Sequence, residues 1–161
     1  MAGDMPDRLE WIIENFQGKV KTITEFGTYQ GCSTIAWLAC CPERLTCIDI
    51  KTEFDYLNEY IDASRETNTL FEYKTGNSLL VDIEPTDLLF IDTVHTKEHV
   101  YQELTKHSSK ILKYLVLHDV NPSKWTTLDG VNRWLREQPA NSWTVYYHDN
   151  VNDGFAVLKR A

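Results

Sequence analysis

Helix-spaced and strand-like blocks of apolar residues alternate along the whole chain, the pattern of a parallel sheet covered on both faces. Leu9, Ile12, Ile13 and Phe16 recur at helical spacing, with Pro6 near the start and Gly18 just beyond the end, so residues 6–16 are predicted as a leading helix. Residues 21–27 then read as a first strand, and 32–41 as a mostly apolar helix stopped by Pro42. Strand 45–50, helix 54–67 and strand 70–74 follow, the last closed by Gly76, Asn77 and Ser78. In 87–92, four consecutive apolar residues (Leu88, Leu89, Phe90, Ile91) stand between two aspartates, as expected of a central buried strand. Residues 78–85 leave room for barely one turn, so a helix at that crossover is expected to be vestigial. Helix 97–112, strand 114–120 and helix 126–137 continue the alternation. Strands 143–148 and 155–159 close it, and their connection is too short for a crossover helix, which predicts an antiparallel pair at the sheet edge.

The expected fold is therefore α/β: a doubly wound, mostly parallel seven-stranded sheet with an antiparallel last strand, formed as a single domain over 1–161. Sixteen basic against twenty-four acidic side chains give a net charge of −8, which repels phosphate backbones and disfavours a nucleic-acid partner. Nowhere do eighteen apolar residues run together, and the first residues carry no secretory pattern, so no membrane association is expected and a cytoplasmic location is. Cys32, Cys40, Cys41 and Cys47 lack a CxxC spacing and all fall on predicted helix or strand, which favours core packing over a metal or redox site.

In open α/β sheets ligands bind outside the carboxyl ends of the strands, and that rule singles out a few residues. The first strand runs into Glu25-Phe26-Gly27-Thr28-Tyr29-Gln30-Gly31-Cys32-Ser33, with two glycines four apart where backbone can approach a ligand closely. The second strand ends at Asp49 and Ile50, and Asp49 lies twenty-two positions after Gly27, about the spacing at which an acid accepts ribose hydroxyls. A dinucleotide fingerprint would need a middle glycine, and here Thr28, Tyr29 and Gln30 fill the loop, so pyrophosphate would fit poorly. Further along, Asp92 and His95 follow the fourth strand, and His118 and Asp119 end the fifth. Each histidine is either a hydrogen-bonded residue of a partly buried loop or a base. His99 and His107 are expected to face solvent, and Trp125, Trp134 and Trp143 to pack in the core or an interface rather than stack on bases.

The pattern ExGxxxGxS followed by an acid on the second strand resembles motif I and the ribose acid of class I S-adenosylmethionine-dependent methyltransferases, a resemblance covering nearly the whole chain. The segment 87–95, followed by Leu117-His118-Asp119, is similar to the small-molecule O-methyltransferases grouped with macrocin and cephalosporin-type enzymes. The resemblance implies a cofactor-binding set of Glu25, Gly27, Thr28, Gly31, Ser33, Asp49, Ile50, Asn77, Ser78 and Asp92, with Glu25 and the glycines at the methionine part, Asp49 at the ribose and Asn77 with Ser78 at the adenine. It implies catalytic roles for Asp92, His95 and His118, and a Mg2+ ion held by Asp92 and Asp119, with His118 standing where a carboxylate is usual.

The function this implies is O-methylation of a small polar acceptor, a sugar or natural-product hydroxyl, with S-adenosylmethionine as donor. The alternative is a cofactor-binding module of the same fold without turnover, because no insertion is present that could form a lid. An uncovered acceptor pocket and exposed aromatics point to a homodimer. A nicotinamide- or flavin-dependent oxidoreductase is a third reading, opposed by the incomplete glycine fingerprint.

Overall fold

The computed structural model describes residues 8–52 and 56–161. Seven strands follow the order β3-β2-β1-β4-β5-β7-β6. They are β1 (Thr22–Phe26), β2 (Arg44–Asp49), β3 (Leu70–Thr75), β4 (Thr86–Ile91), β5 (Ile111–His118), β6 (Trp143–Asp149) and β7 (Phe155–Arg160). The expected mostly parallel sheet is present, with β7 antiparallel to both of its neighbours. By contact density the chain divides into two compact units, residues 1–78 and 79–161.

In the first unit, β1 pairs in parallel with β2, and β2 with β3. Glu25 lies beside Cys47 in register, and Asp49 beside Thr75, so the acids at the strand ends are set by the ladder itself. Helix α1 (Leu9–Phe16) buries Ile12 and Phe16, and the Phe16 ring lies 6.0 Å from that of Trp37 in α2 (Cys32–Ala39). The predicted start at Pro6 lies outside the described residues, as does Phe54, the predicted start of α3 (Leu57–Glu66). Helix α2 ends two residues earlier than predicted. Cys40 and Cys47 are buried as expected, whereas Cys41, at φ +51° beyond the helix, is exposed and Cys32 half-buried.

In the second unit, β4 and β5 are parallel, and every residue of β4 is buried, as its unbroken apolar run predicts. Helix α4 (Lys97–His107) ends five residues short of expectation and is followed by a 3-10 turn, Ser108–Lys110. Strand β5 begins at Ile111 because 111–113 alternates: Ile111 is buried, Leu112 exposed, and Lys113 pairs with Asp87 of β4 at 3.0 Å. Helix α5 (Thr127–Glu137) crosses α4 at Gly130, where a Cβ would overlap the Lys97 carbonyl and the Val100 side chain. No helix among the described residues is long and apolar enough to cross a membrane.

Candidate functional site

The chemistry-bearing residues form two groups, one in each unit. In the first unit, the loop from β1 to α2 turns through left-handed backbone at Gly27 (φ +84°), Tyr29 (φ +46°) and Gly31 (φ +81°), and Gly31 is the N-cap of α2. A non-glycine residue at positive φ is strained, and Tyr29 is held there by its neighbours. Asp49 Oδ2 accepts the backbone N–H groups of Thr28 and Tyr29, each at 2.9 Å, and Oδ1 accepts that of Lys51 at 2.9 Å. A carboxylate has about four acceptor positions, so three backbone donors leave room for a ligand hydroxyl. The acid that sequence spacing marks as a ribose ligand is thus also the brace of the glycine loop.

Glu25 is fully buried beneath this loop. Its carboxylate accepts Ser33 Oγ at 2.5 Å, Thr34 Oγ1 at 2.6 Å and the Cys47 thiol at 2.9 Å. Burial and the Glu25 charge push the Cys47 thiol well above its usual range, so it stays a protonated donor. Glu25 and Ser33 therefore anchor the first turn of α2. Next to Asp49, Ile50 is 74% exposed, apolar surface left beside a buried acid. Lys51 Nζ lies 4.3 Å from the centre of the exposed Tyr29 ring. The Gly76 N–H donates to the Asp49 carbonyl at 2.8 Å, so exposed Asn77 and buried Ser78 follow directly from the point where β3 meets Asp49.

In the second unit, the segment after β4 and the end of β5 bring Asp92, His95, His118 and Asp119 together. His95 Nε2 lies 2.6 Å from Asp119 Oδ2 and 3.3 Å from Asp92 Oδ1. His118 Nδ1 lies 3.4 Å from Asp92 Oδ2 and 3.5 Å from Asp119 Oδ2. Burial opposes a charge on His95, but hydrogen bonds and attraction from Asp119 and Asp92 outweigh it and carry the imidazole up to about 9. Burial likewise disfavours the Asp119 carboxylate, yet His118 and His95 hold its pKa well below the usual range. Asp119 adopts φ +55°, a strained conformation at the site where the cluster is densest.

Three supports of this cluster are not visible in the sequence. The rings of Trp125 and His95 meet edge to face, 4.6 Å between centres. Fully buried Glu103 of α4 accepts Thr93 Oγ1 at 2.8 Å and lies 3.1 Å from His99 Nε2, which ties down the segment between Asp92 and His95. Asn121 donates through Nδ2 to the carbonyls of Asn150 and Asn152, both at 2.9 Å, and a Cβ on Gly154 would lie 2.5 Å from Asn121 N. The expectation that His99 and His107 face solvent is corrected: His107 is 2% exposed, and His99 turns onto Glu103 one helical turn away.

Ligand atoms of Asp92, His118 and Asp119 lie within 4.8 Å of one another. As a Mg2+ centre the set fits poorly. Mg2+ takes hard oxygen ligands, one of the three donors here is an imidazole, and His95 Nε2 already sits against Asp119 Oδ2.

Residues 24–120, more than half of the chain, match a family described as a methyltransferase domain. No curated protein matches the chain. Among solved structures, an O-methyltransferase from Bacillus cereus in complex with SAH is similar with a TM-score of 0.68 at 19% identity, over 97% of this chain and 81% of that one. The O-methyltransferase TomG from Streptomyces achromogenes, involved in tomaymycin synthesis and in complex with SAM, gives 0.68 at 18% identity, over 97% and 80%. The N-methyltransferase NodS from Bradyrhizobium japonicum gives 0.63 at 14% identity, over 96% and 95%. At such identities the likeness is one of fold.

Proposed function

This chain belongs to the methyltransferase-domain family, and on that premise we propose that it transfers the methyl group of S-adenosylmethionine to a hydroxyl of a small polar acceptor, a sugar or a natural product. The donor is assigned to the first unit. Gly27 and Gly31 let backbone approach its methionine part, Asp49 has acceptor capacity left for the ribose, and exposed Ile50 offers apolar contact to the adenine, with Asn77 and Ser78 at its edge.

The observation that carries the choice of oxygen as acceptor atom is the 2.6 Å approach of His95 Nε2 to Asp119 Oδ2. Methyl transfer to a hydroxyl is an in-line displacement: the C–O bond forms, the C–S bond breaks with its electron pair going to sulfur, and the acceptor proton must go to a base. Asp119 and Asp92 orient His95 to take that proton, and His118 Nδ1 lies within 3.5 Å of an oxygen of each carboxylate. Trp125 shields the pair on one edge, which strengthens the electrostatics within it. No step in this scheme uses a metal.

Incubation with S-adenosylmethionine and a panel of sugars and hydroxylated natural products, with release of S-adenosylhomocysteine as readout, tests the proposal. Acceptor-dependent release, mostly lost in His95→Gln, is expected. Donor binding by calorimetry with no release for any acceptor would overturn turnover and favour a cofactor-binding module.

A further inference from the structure

The glycine loop is gripped at three levels, and one grip comes from a residue that no strand-end rule would select. Asp49 holds the N–H groups of Thr28 and Tyr29, and Glu25 holds the hydroxyls of Ser33 and Thr34. The carbonyl of Gly31 accepts the first helical bond of α2 from Ile35 N–H at 3.1 Å, and its second lone pair accepts Tyr60 Oη at 2.8 Å. The same hydroxyl lies 3.5 Å from the carbonyl of Gln30. Tyr60 stands in the first half of α3, is 5% exposed, and packs its ring against Phe71 at 6.4 Å. It also forms part of the wall of an apolar cavity of about 440 Å³ with Ile35, Leu38, Ala39 and Ala63.

Gly31 is the N-cap of α2 with left-handed backbone; its N–H donates to the Thr28 carbonyl at 2.7 Å, its carbonyl takes the Ile35 N–H, and the Tyr60 hydroxyl adds a second donor to that carbonyl from a different helix. A buried phenol that stays protonated supplies a permanent donor there, and burial pushes Tyr60 up to about 12.

We propose that Tyr60 is a positioning residue for the methyl donor, its hydroxyl setting the Gly31 carbonyl and through it the loop that receives the donor. The inference rests on the reading of that loop as the donor site. It makes α3 part of the binding machinery although none of its side chains is required to touch the ligand.

The test measures S-adenosylhomocysteine binding to the full chain by calorimetry, with ligand-free melting alongside, for the wild type, Tyr60→Phe and Phe71→Leu. Tyr60→Phe removes one oxygen and keeps the ring. It is expected to weaken binding about fivefold to tenfold, the worth of one neutral hydrogen bond. In turnover it should raise KM for S-adenosylmethionine by the same factor and leave kcat at saturating donor unchanged. Phe71→Leu loosens the packing around the ring and keeps the hydroxyl, so it should lower the melting temperature and leave donor affinity as in the wild type. Tyr60→Phe with wild-type affinity, or equal losses of affinity in both variants, would overturn the positioning role. Failure of the wild type itself to bind S-adenosylhomocysteine would instead overturn the donor reading on which it rests.

Discussion

His95 and Asp119 come from the segments that follow β4 and end β5, and they meet with Nε2 2.6 Å from Oδ2. The contact is shorter than an ordinary neutral hydrogen bond and joins a base to an acid held ionised by two imidazoles. It governs how both stability and rate should respond to pH.

For stability, the folded pKa of His95 is raised from an ordinary 6.5 to about 9. Its contribution is complete below about pH 6.5 and is lost as the pH rises through about 9. Asp119 is lowered from 3.8, so its contribution is present above that value and is lost only as the pH falls through its depressed folded pKa. Denaturant melts of the wild type and His95→Gln should differ by on the order of 2 kcal/mol near pH 6, with the gap closing toward pH 10. A gap independent of pH would refute the pair.

For rate, most of His95 is imidazolium at neutral pH and cannot take a proton. The kcat/KM for the acceptor should climb with pH and level off above about 9. In His95→Gln that rising limb should vanish together with most of the activity. A wild-type profile flat from pH 6 to 10 would remove His95 as the base.

Asp49→Asn replaces one acceptor oxygen with an amide that faces backbone N–H groups. The loop then loses a brace at Thr28 and Tyr29, or at Lys51, whichever way the amide turns. The expected result is a loss of S-adenosylhomocysteine affinity of more than about tenfold and a lower melting temperature, since each buried donor left unpaired costs about 1–3 kcal/mol. Unchanged affinity would show that the acid serves neither loop nor ligand.

Chelation should leave methyl transfer intact, and added Mg2+ should change neither rate nor melting temperature, because Asp119 is engaged by His95 and one member of the ligand set is an imidazole. Loss of activity in EDTA restored by Mg2+ would reverse the conclusion.

Much of the architecture was legible because it depends on local period. The unbroken Leu88-Leu89-Phe90-Ile91 run could be nothing but a buried strand or helix segment, and its length and flanking acids decide for the strand. The sequence pattern runs α4 past its observed end because Ile111 satisfies both a helical and an alternating pattern, and the decision falls to the Lys113–Asp87 pair on another strand. Among site residues, the glycines and Asp49 announce themselves by spacing at strand ends. Tyr60, Glu103 and Trp125 do not, since each acts through a contact between elements distant in sequence. His99 carried a usable signal, a carboxylate four residues on, whose partnership turns the imidazole inward. The left-handed backbone of Asp119 leaves no trace in composition at all.

The lack of space between Gly154 and Asn121 reaches further than one turn. Connections between terminal strands are ordinarily where a lineage can add or delete residues at little risk. Here the bend from β6 to β7 is wedged against the same short stretch that carries Asp119 and Trp125, so its length is tied to the chemistry. Descendants of this chain should vary at the outer helices long before they vary in that bend, and a tag or peptide grafted there should silence the protein while leaving it folded.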